Sequence, residues 1–70
     1  MTPTELELAR HLRRASLAGA MTSELADKIG RSEATVRAHL SRMREKGYVE
    51  VAHAHRCGFW TLTTEGRRNR

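Results

Sequence analysis

Hydrophobic residues recur at intervals of three and four in three segments between residues 4 and 46. Side chains at that spacing lie on one face of an α-helix, so the pattern predicts three amphipathic helices. Gly19, Gly30 and Gly47 follow the three segments as expected helix stops. The inner faces would meet in one small core, which contains Leu8, Leu12, Ala15, Leu25, Ala26, Ile29, Val36, Leu40 and Met43.

Residues typical of helix N-caps precede the three segments. Thr2 and Glu5 have the spacing of a capping box, in which each side chain accepts a hydrogen bond from the other's backbone N–H. Thr22 is the expected N-cap of the second helix and Ser32 that of the third. We expect the first helix to extend to about Leu17 and the third to about residue 46.

After Gly47 the hydrophobic pattern changes to alternation. Residues 48–51 and 59–63 alternate and are rich in β-formers, and a polar stretch separates them. The two segments therefore predict a β-hairpin, with Trp60 and Leu62 on its inner face. The fold class expected is mainly α with a small β-hairpin, in a single domain over residues 1–70 with a short disordered basic tail at 67–70.

The second and third predicted helices, with the short turn between them, resemble a helix-turn-helix unit. Ala26 is small enough to let the two helices approach closely, and Gly30 supplies the backbone freedom that the turn needs. Val36 fills the angle between the helices. With the hairpin, the order resembles a winged helix. Residues 44–49 (REKGYV) and 60–66 (WTLTTEG) are similar to the recognition-helix exit and the returning wing strand of MarR-, PadR- and ArsR-type bacterial regulators. The resemblance covers residues 4–66 and implies sequence-specific binding of double-stranded DNA by a transcriptional regulator, expected to be a repressor.

The dimerisation helices of those regulators have no counterpart in this sequence. The chain resembles the DNA-reading module alone, as in small regulators encoded by phages and mobile elements. Regulators of this size usually pair on two half-sites about one helical turn apart, so a homodimer is one expectation. The sequence does not decide between a monomer and a dimer, and it predicts no cofactor.

The charge balance agrees with a nucleic-acid partner. Lys and Arg total 13 against 8 for Asp and Glu, a net charge of +5 with neutral histidines. Eleven of the 13 are arginines, whose planar guanidinium fits phosphate groups and guanine edges. The resemblance and the helical spacing together predict two sets of contacts. On the third helix, in the major groove, the expected contacts are Ser32, Ala34, Thr35, Arg37, Ala38, Ser41 and Arg42. On the DNA backbone, or in the adjacent minor groove in the case of the wing, they are Thr22, Ser23, Arg31, His53, His55 and Arg56.

Two features of the hairpin invite other interpretations. His53, His55 and Cys57 would share one face of a strand, but three ligands make an incomplete metal site, so no metal is predicted. Trp60 could stack on nucleic acid, and Z-DNA-binding winged helices have a tryptophan in this region. Those domains also use an Asn and a Tyr on the third helix and prolines in the wing, which are absent here. We therefore expect Trp60 in the core.

Catalysis finds no support in the sequence, which has neither a plausible nucleophile with its base nor a glycine-rich phosphate loop after a strand. The main alternative is a winged helix that binds protein, for example a phage protein that inhibits a host complex. Leu6, Leu17 and Tyr48 could form its apolar contact surface. The arginines favour DNA over a protein partner.

A single cysteine and no apolar run of about 20 residues lead us to expect a cytoplasmic protein.

Overall fold

The computed structural model describes residues 2–15, 19–52 and 59–68. Three helices precede an antiparallel hairpin, so the predicted fold class is confirmed. The structure adds a short strand before the second helix and a short helix after the hairpin. The elements are α1 (Pro3–Arg14), β1 (Ala20–Met21), α2 (Thr22–Ile29), α3 (Glu33–Glu45), β2 (Val49–Ala52), β3 (Phe59–Leu62) and α4 (Thr64–Arg68).

The predicted caps of α1 and α3 are present. Thr2 Oγ1 accepts the backbone N–H of Glu5 at 3.2 Å, and Glu5 Oε1 accepts the N–H of Thr2 at 3.3 Å, which completes the capping box. Ser32 Oγ accepts the N–H of Thr35 at 3.2 Å. These bonds satisfy N–H groups that have no partner inside their helices.

The predicted start of α2 is wrong by one residue. Met21 is the N-cap and makes no side-chain cap bond, and Thr22 is the first helical residue. The reason is β1, a strand too short for its alternation to be visible in the sequence. Met21 pairs with Phe59 in that strand, so the backbone stays extended up to the residue before the helix.

The first helix ends earlier than predicted. Its last residue is Arg14, and the N–H of Ala15 caps it by bonding to the carbonyls of His11 and Leu12. Gly19 is therefore not the helix stop. Its φ is +88°, and a Cβ atom there would clash with the carbonyl oxygen of Trp60. Glycine at this position lets β1 lie close against β3.

The sheet has the strand order β1-β3-β2, with both pairs antiparallel. The predicted hairpin is β2 with β3, and its register pairs Val51 with Trp60 and Val49 with Leu62. On the other side of β3, Ala20 pairs with Trp60. The central strand therefore ties the hairpin to the segment that leads into α2.

The basic tail does not begin at residue 67 as expected, because α4 extends to Arg68. Thr63 lies between β3 and α4 and makes two hydrogen bonds through its hydroxyl group. The oxygen accepts the N–H of Gly66 at 3.1 Å, and the O–H donates to the carbonyl of Gly47. Gly66 packs directly against the carbonyl of Tyr48, where a Cβ atom would clash. Residues 69–70 lie outside the described part of the chain.

The core contains the predicted inner faces of all three helices and of β3. The additional residues are Ala9, Ala20, Val49 and, unexpectedly, the charged Glu5. Ala15 and Ile29 are partly buried against the core, as is Tyr48. No helix among the described residues is long and apolar enough to cross a membrane. The predicted residues found buried are Leu8, Leu12, Leu25, Ala26, Val36, Leu40, Met43, Trp60 and Leu62.

Candidate nucleic-acid interface

The unit formed by α2, a tight turn and α3 is built around Gly30. Gly30 has φ +68° and ends α2 in the left-handed conformation, with its N–H bonded to the carbonyl of Ala26. The N–H of Arg31 bonds to the same carbonyl at 3.1 Å. Ser32 then caps α3, so only two residues separate the turn glycine from the next helix. This short connection fixes the direction in which α3 leaves the core.

The two faces of α3 differ completely in burial. Val36, Leu40 and Met43 are fully buried and anchor the helix. The opposite arc is exposed and consists mainly of small side chains, in agreement with the helical spacing. The residues of this arc are Ala34, Ala38, Ser41 and Glu45.

Exposed arginines lie on both sides of the small-residue arc. Arg37 is on one side and Arg42 is on the other, by their positions on the helix. Within the described part of the chain, the ion pairs join His39 to Glu5 and Arg68 to Glu65, so neither arginine is paired there with a carboxylate. Both guanidinium groups are therefore available to an external anion or base edge.

Arg44 extends this basic surface and was missed by the sequence analysis. It is exposed and lies two turns after Arg37 on the same side of α3. It also lines a shallow groove between the end of α3 and β2, together with Glu50 and Val51. The seven-residue interval from Arg37 was the signal that could have identified it.

The start of α3 brings together two predicted contact residues. Ser32 Oγ donates to Thr35 Oγ1 at 2.9 Å while it accepts the N–H of Thr35. Ser32 is exposed and Thr35 half-buried. The Ser32 hydroxyl therefore caps the helix, and the Thr35 hydroxyl, which accepts from Ser32, keeps an O–H that it can donate outward.

The predicted backbone contacts are only partly described. Arg31 is exposed in the turn, whereas Thr22 and Ser23 are half-buried in the first turn of α2. The side chain of Thr22 is already engaged, because Trp60 Nε1 donates to its Oγ1 at 3.0 Å. The three predicted wing contacts, His53, His55 and Arg56, lie outside the described residues, as does Cys57 of the candidate metal cluster. The described residues contain no group of His, Cys, Asp and Glu suited to hold a metal ion.

The sequence from residue 18 to residue 50 matches a family model described as winged helix-turn-helix DNA-binding. The match covers α2, α3 and the start of the hairpin. The chain has a winged helix-turn-helix fold. A comparison with curated protein sequences found no significant match.

Solved structures similar to this winged helix include transcriptional regulators. A MarR/EmrR family regulator from Acinetobacter sp. ADP1 is 26% identical, with a TM-score of 0.83 over 96% of this chain and 48% of that chain. A regulator from Thermotoga maritima has a TM-score of 0.85 at 21% identity, over 94% of this chain and 46% of that one. The chain thus spans about half the length of these regulators. The prediction that it is not an enzyme agrees with these similarities.

A small domain is also similar over nearly its whole length. This is a Zalpha domain from Cyprinid Herpesvirus3, whose structure describes its binding mode to Z-DNA. It is 27% identical, with a TM-score of 0.76 over 90% of this chain and 97% of that chain.

Proposed function

We propose that this winged helix-turn-helix protein binds double-stranded DNA in a sequence-specific way and regulates transcription, with α3 in the major groove. The observation that carries the proposal is the exposed arc of α3. Small side chains at Ala34, Ala38 and Ser41 lie between Arg37 and Arg42, while the opposite face of the helix is fully buried. The family model and the similar regulators support the same partner.

This arc suits the floor of the major groove. Small side chains allow a helix backbone to approach base edges closely, and an alanine or threonine methyl can contact the methyl of thymine. An arginine on either side can bond to guanine O6 and N7 or to a phosphate. We assign base reading to the arc and Arg42, and phosphate contacts to Arg31, Ser23 and Thr22, which lie around it.

We infer a repressor acting as a homodimer. One α3 helix reads only a few base pairs, so two copies on adjacent half-sites would supply the specificity that one copy lacks. Occupation of a site by a small protein is enough to block access to a promoter, whereas activation needs a second contact surface. The wing residues His53, His55 and Arg56 would add contacts to the flanking backbone or minor groove.

The test is a titration of labelled mixed-sequence duplexes with the full chain at several salt concentrations. Affinity should fall steeply as salt rises, because each phosphate contact made by Arg or Lys releases counterions. Arg37→Gln with Arg42→Gln should weaken binding and flatten the salt dependence. The charge-matched control is Arg10→Gln with Lys28→Gln, two exposed residues on α1 and α2 outside the proposed contacts. No binding at low salt would overturn the proposal and favour the protein-binding alternative.

Left-handed DNA is a second candidate, supported by the similarity to the Zalpha domain. Two observations make it weaker than right-handed duplex DNA. The α3 helix contains no Asn or Tyr, and the indole of Trp60 is 8% exposed with its N–H bonded to Thr22. Circular dichroism of an alternating CG duplex distinguishes the two, since a left-handed binder would invert the spectrum and this chain should leave it unchanged.

A further inference from the structure

Trp60 connects the wing to the start of α2 through its side chain. Its backbone lies in the central strand, where it pairs with Ala20 on one side and Val51 on the other. Its indole is almost fully buried, and Nε1 donates to Thr22 Oγ1 at 3.0 Å. The bond joins residues 38 positions apart in the sequence.

This bond determines what the Thr22 hydroxyl can offer. A threonine hydroxyl has one O–H to donate and two lone pairs that accept. Because Trp60 occupies one lone pair, the oxygen is held in place and the O–H must point away from the indole. Thr22 does not cap its own helix, since the N-cap is Met21. Thr22 is half-buried, and its hydroxyl is thus a fixed donor at the first turn of α2.

The backbone that carries the indole is itself tightly constrained. Gly19 packs against the carbonyl oxygen of Trp60, with no room for a Cβ atom. Both neighbouring strands hold the Trp60 backbone in register. A backbone held by three separate contacts makes the buried Trp60 side chain a rigid support, and loss of its N–H would leave the Thr22 hydroxyl free to rotate.

We propose that Trp60 is a positioning residue for DNA binding, acting through Thr22 and without touching DNA itself. The inference rests on the proposed function, in which Thr22 contacts the DNA backbone. It adds a role for the wing strand. Besides carrying the wing, β3 orients a hydroxyl group on α2 that would donate a hydrogen bond to a DNA phosphate.

The test is a double-mutant cycle with Trp60→Phe, Thr22→Val and the two combined. Dissociation constants are measured by anisotropy of a labelled duplex at fixed salt. Each single change should weaken binding by about 3- to 10-fold, the range expected for one net hydrogen bond. The combined variant should be no weaker than Thr22→Val alone, and Thr22→Ser should bind like the original chain.

Two measurements separate positioning from loss of stability. Leu62→Val, buried on the same strand, should lower the free energy of unfolding without changing the dissociation constant of the folded protein. The indole N–H resonance of Trp60, the only tryptophan, should show faster solvent exchange in Thr22→Val. In the original chain it should stay protected when DNA is added.

The outcomes distinguish the inference from the function on which it rests. If the original chain binds no duplex, the proposed function and the inference both fail. If it binds and Trp60→Phe still weakens binding in the Thr22→Val background, Trp60 contacts the nucleic acid directly and only the inference fails. It also fails if Trp60→Phe and Leu62→Val affect binding equally.

Discussion

His39 Nδ1 lies 3.3 Å from Oε2 of Glu5, and this contact joins the helix α3 to the first turn of α1. Glu5 is 1% exposed and His39 21%. The other carboxylate oxygen of Glu5 accepts the N–H of Thr2 in the capping box. One buried side chain therefore completes the N-terminal capping box of α1 and contacts the side of α3 that carries His39. A buried carboxylate is tolerated only with such partners, since burial without them is costly.

Glu5→Ala should destabilise the protein by roughly 1–3 kcal/mol, because it removes half of the capping box and leaves the His39 contact unmade. Glu5→Gln keeps one oxygen that can accept the N–H of Thr2 and an amide that can donate to an unprotonated Nδ1 of His39, so it should cost less. Glu7→Ala, exposed on the same helix, is the control and should stay within about 0.5 kcal/mol. Urea unfolding gives all three values. Equal losses for Glu5→Ala and Glu7→Ala would mean that the buried contact contributes nothing.

Gly19 and Gly30 both have a positive φ, but only Gly19 also lacks room for a Cβ atom. Gly19→Ala should be severely destabilising, because it combines a positive φ with a clash against the carbonyl of Trp60. Gly30→Ala should cost only about 1–2 kcal/mol, since the φ is unfavourable but no atom lies within 4 Å of the added Cβ. Thermal unfolding of both variants checks this order. The reverse order would show that β1 does not lie against β3 as described.

The two faces of α3 give a third prediction. Leu40 is fully buried, and truncation of a buried leucine to alanine typically costs 2–5 kcal/mol. A domain of this size derives only about 3–5 kcal/mol from its core, so Leu40→Ala should unfold much of the population and abolish DNA binding. Ala38→Ser should change stability by less than about 0.5 kcal/mol and alter the preferred DNA sequence. If Leu40→Ala folds normally while Ala38→Ser melts, the assigned faces of α3 are reversed.

Periodicity was sufficient to predict the three helices and the hairpin because each buries a repeating stripe. Leu8, Val36 and Leu62 follow from spacing alone. The strand β1 and the helix α4 could not be predicted this way, since two and five residues are too short for a period to appear. Both depend on contacts distant in sequence, such as Gly66 against Tyr48.

At the candidate site too, local spacing predicts some features, whereas others depend on contacts between residues distant in sequence. Exposure of Arg37, Ala38 and Arg42 follows from helical geometry once the buried face is known. The engagement of Thr22 by Trp60 could not be predicted, because no local pattern relates residues in α2 and β3. The burial of Glu5 was hidden by its second role, since a capping box fully explains a Glu at that position without a partner on α3.

Base reading and phosphate contact make different predictions for Arg42 and Arg31. Both are exposed, and they differ in position: Arg42 borders the small-residue arc of α3, whereas Arg31 lies in the turn before it. If Arg42 bonds to a guanine, Arg42→Ala should cost about 1–3 kcal/mol on the preferred sequence and much less on random duplex. Arg31→Ala should weaken binding to both DNAs alike and reduce the slope of log affinity against log salt by about 1. A selected preferred site and a scrambled duplex of equal composition, titrated at three salt concentrations, provide the comparison. Equal losses on both duplexes for Arg42→Ala would make it a phosphate contact and leave base reading to the small side chains of the arc.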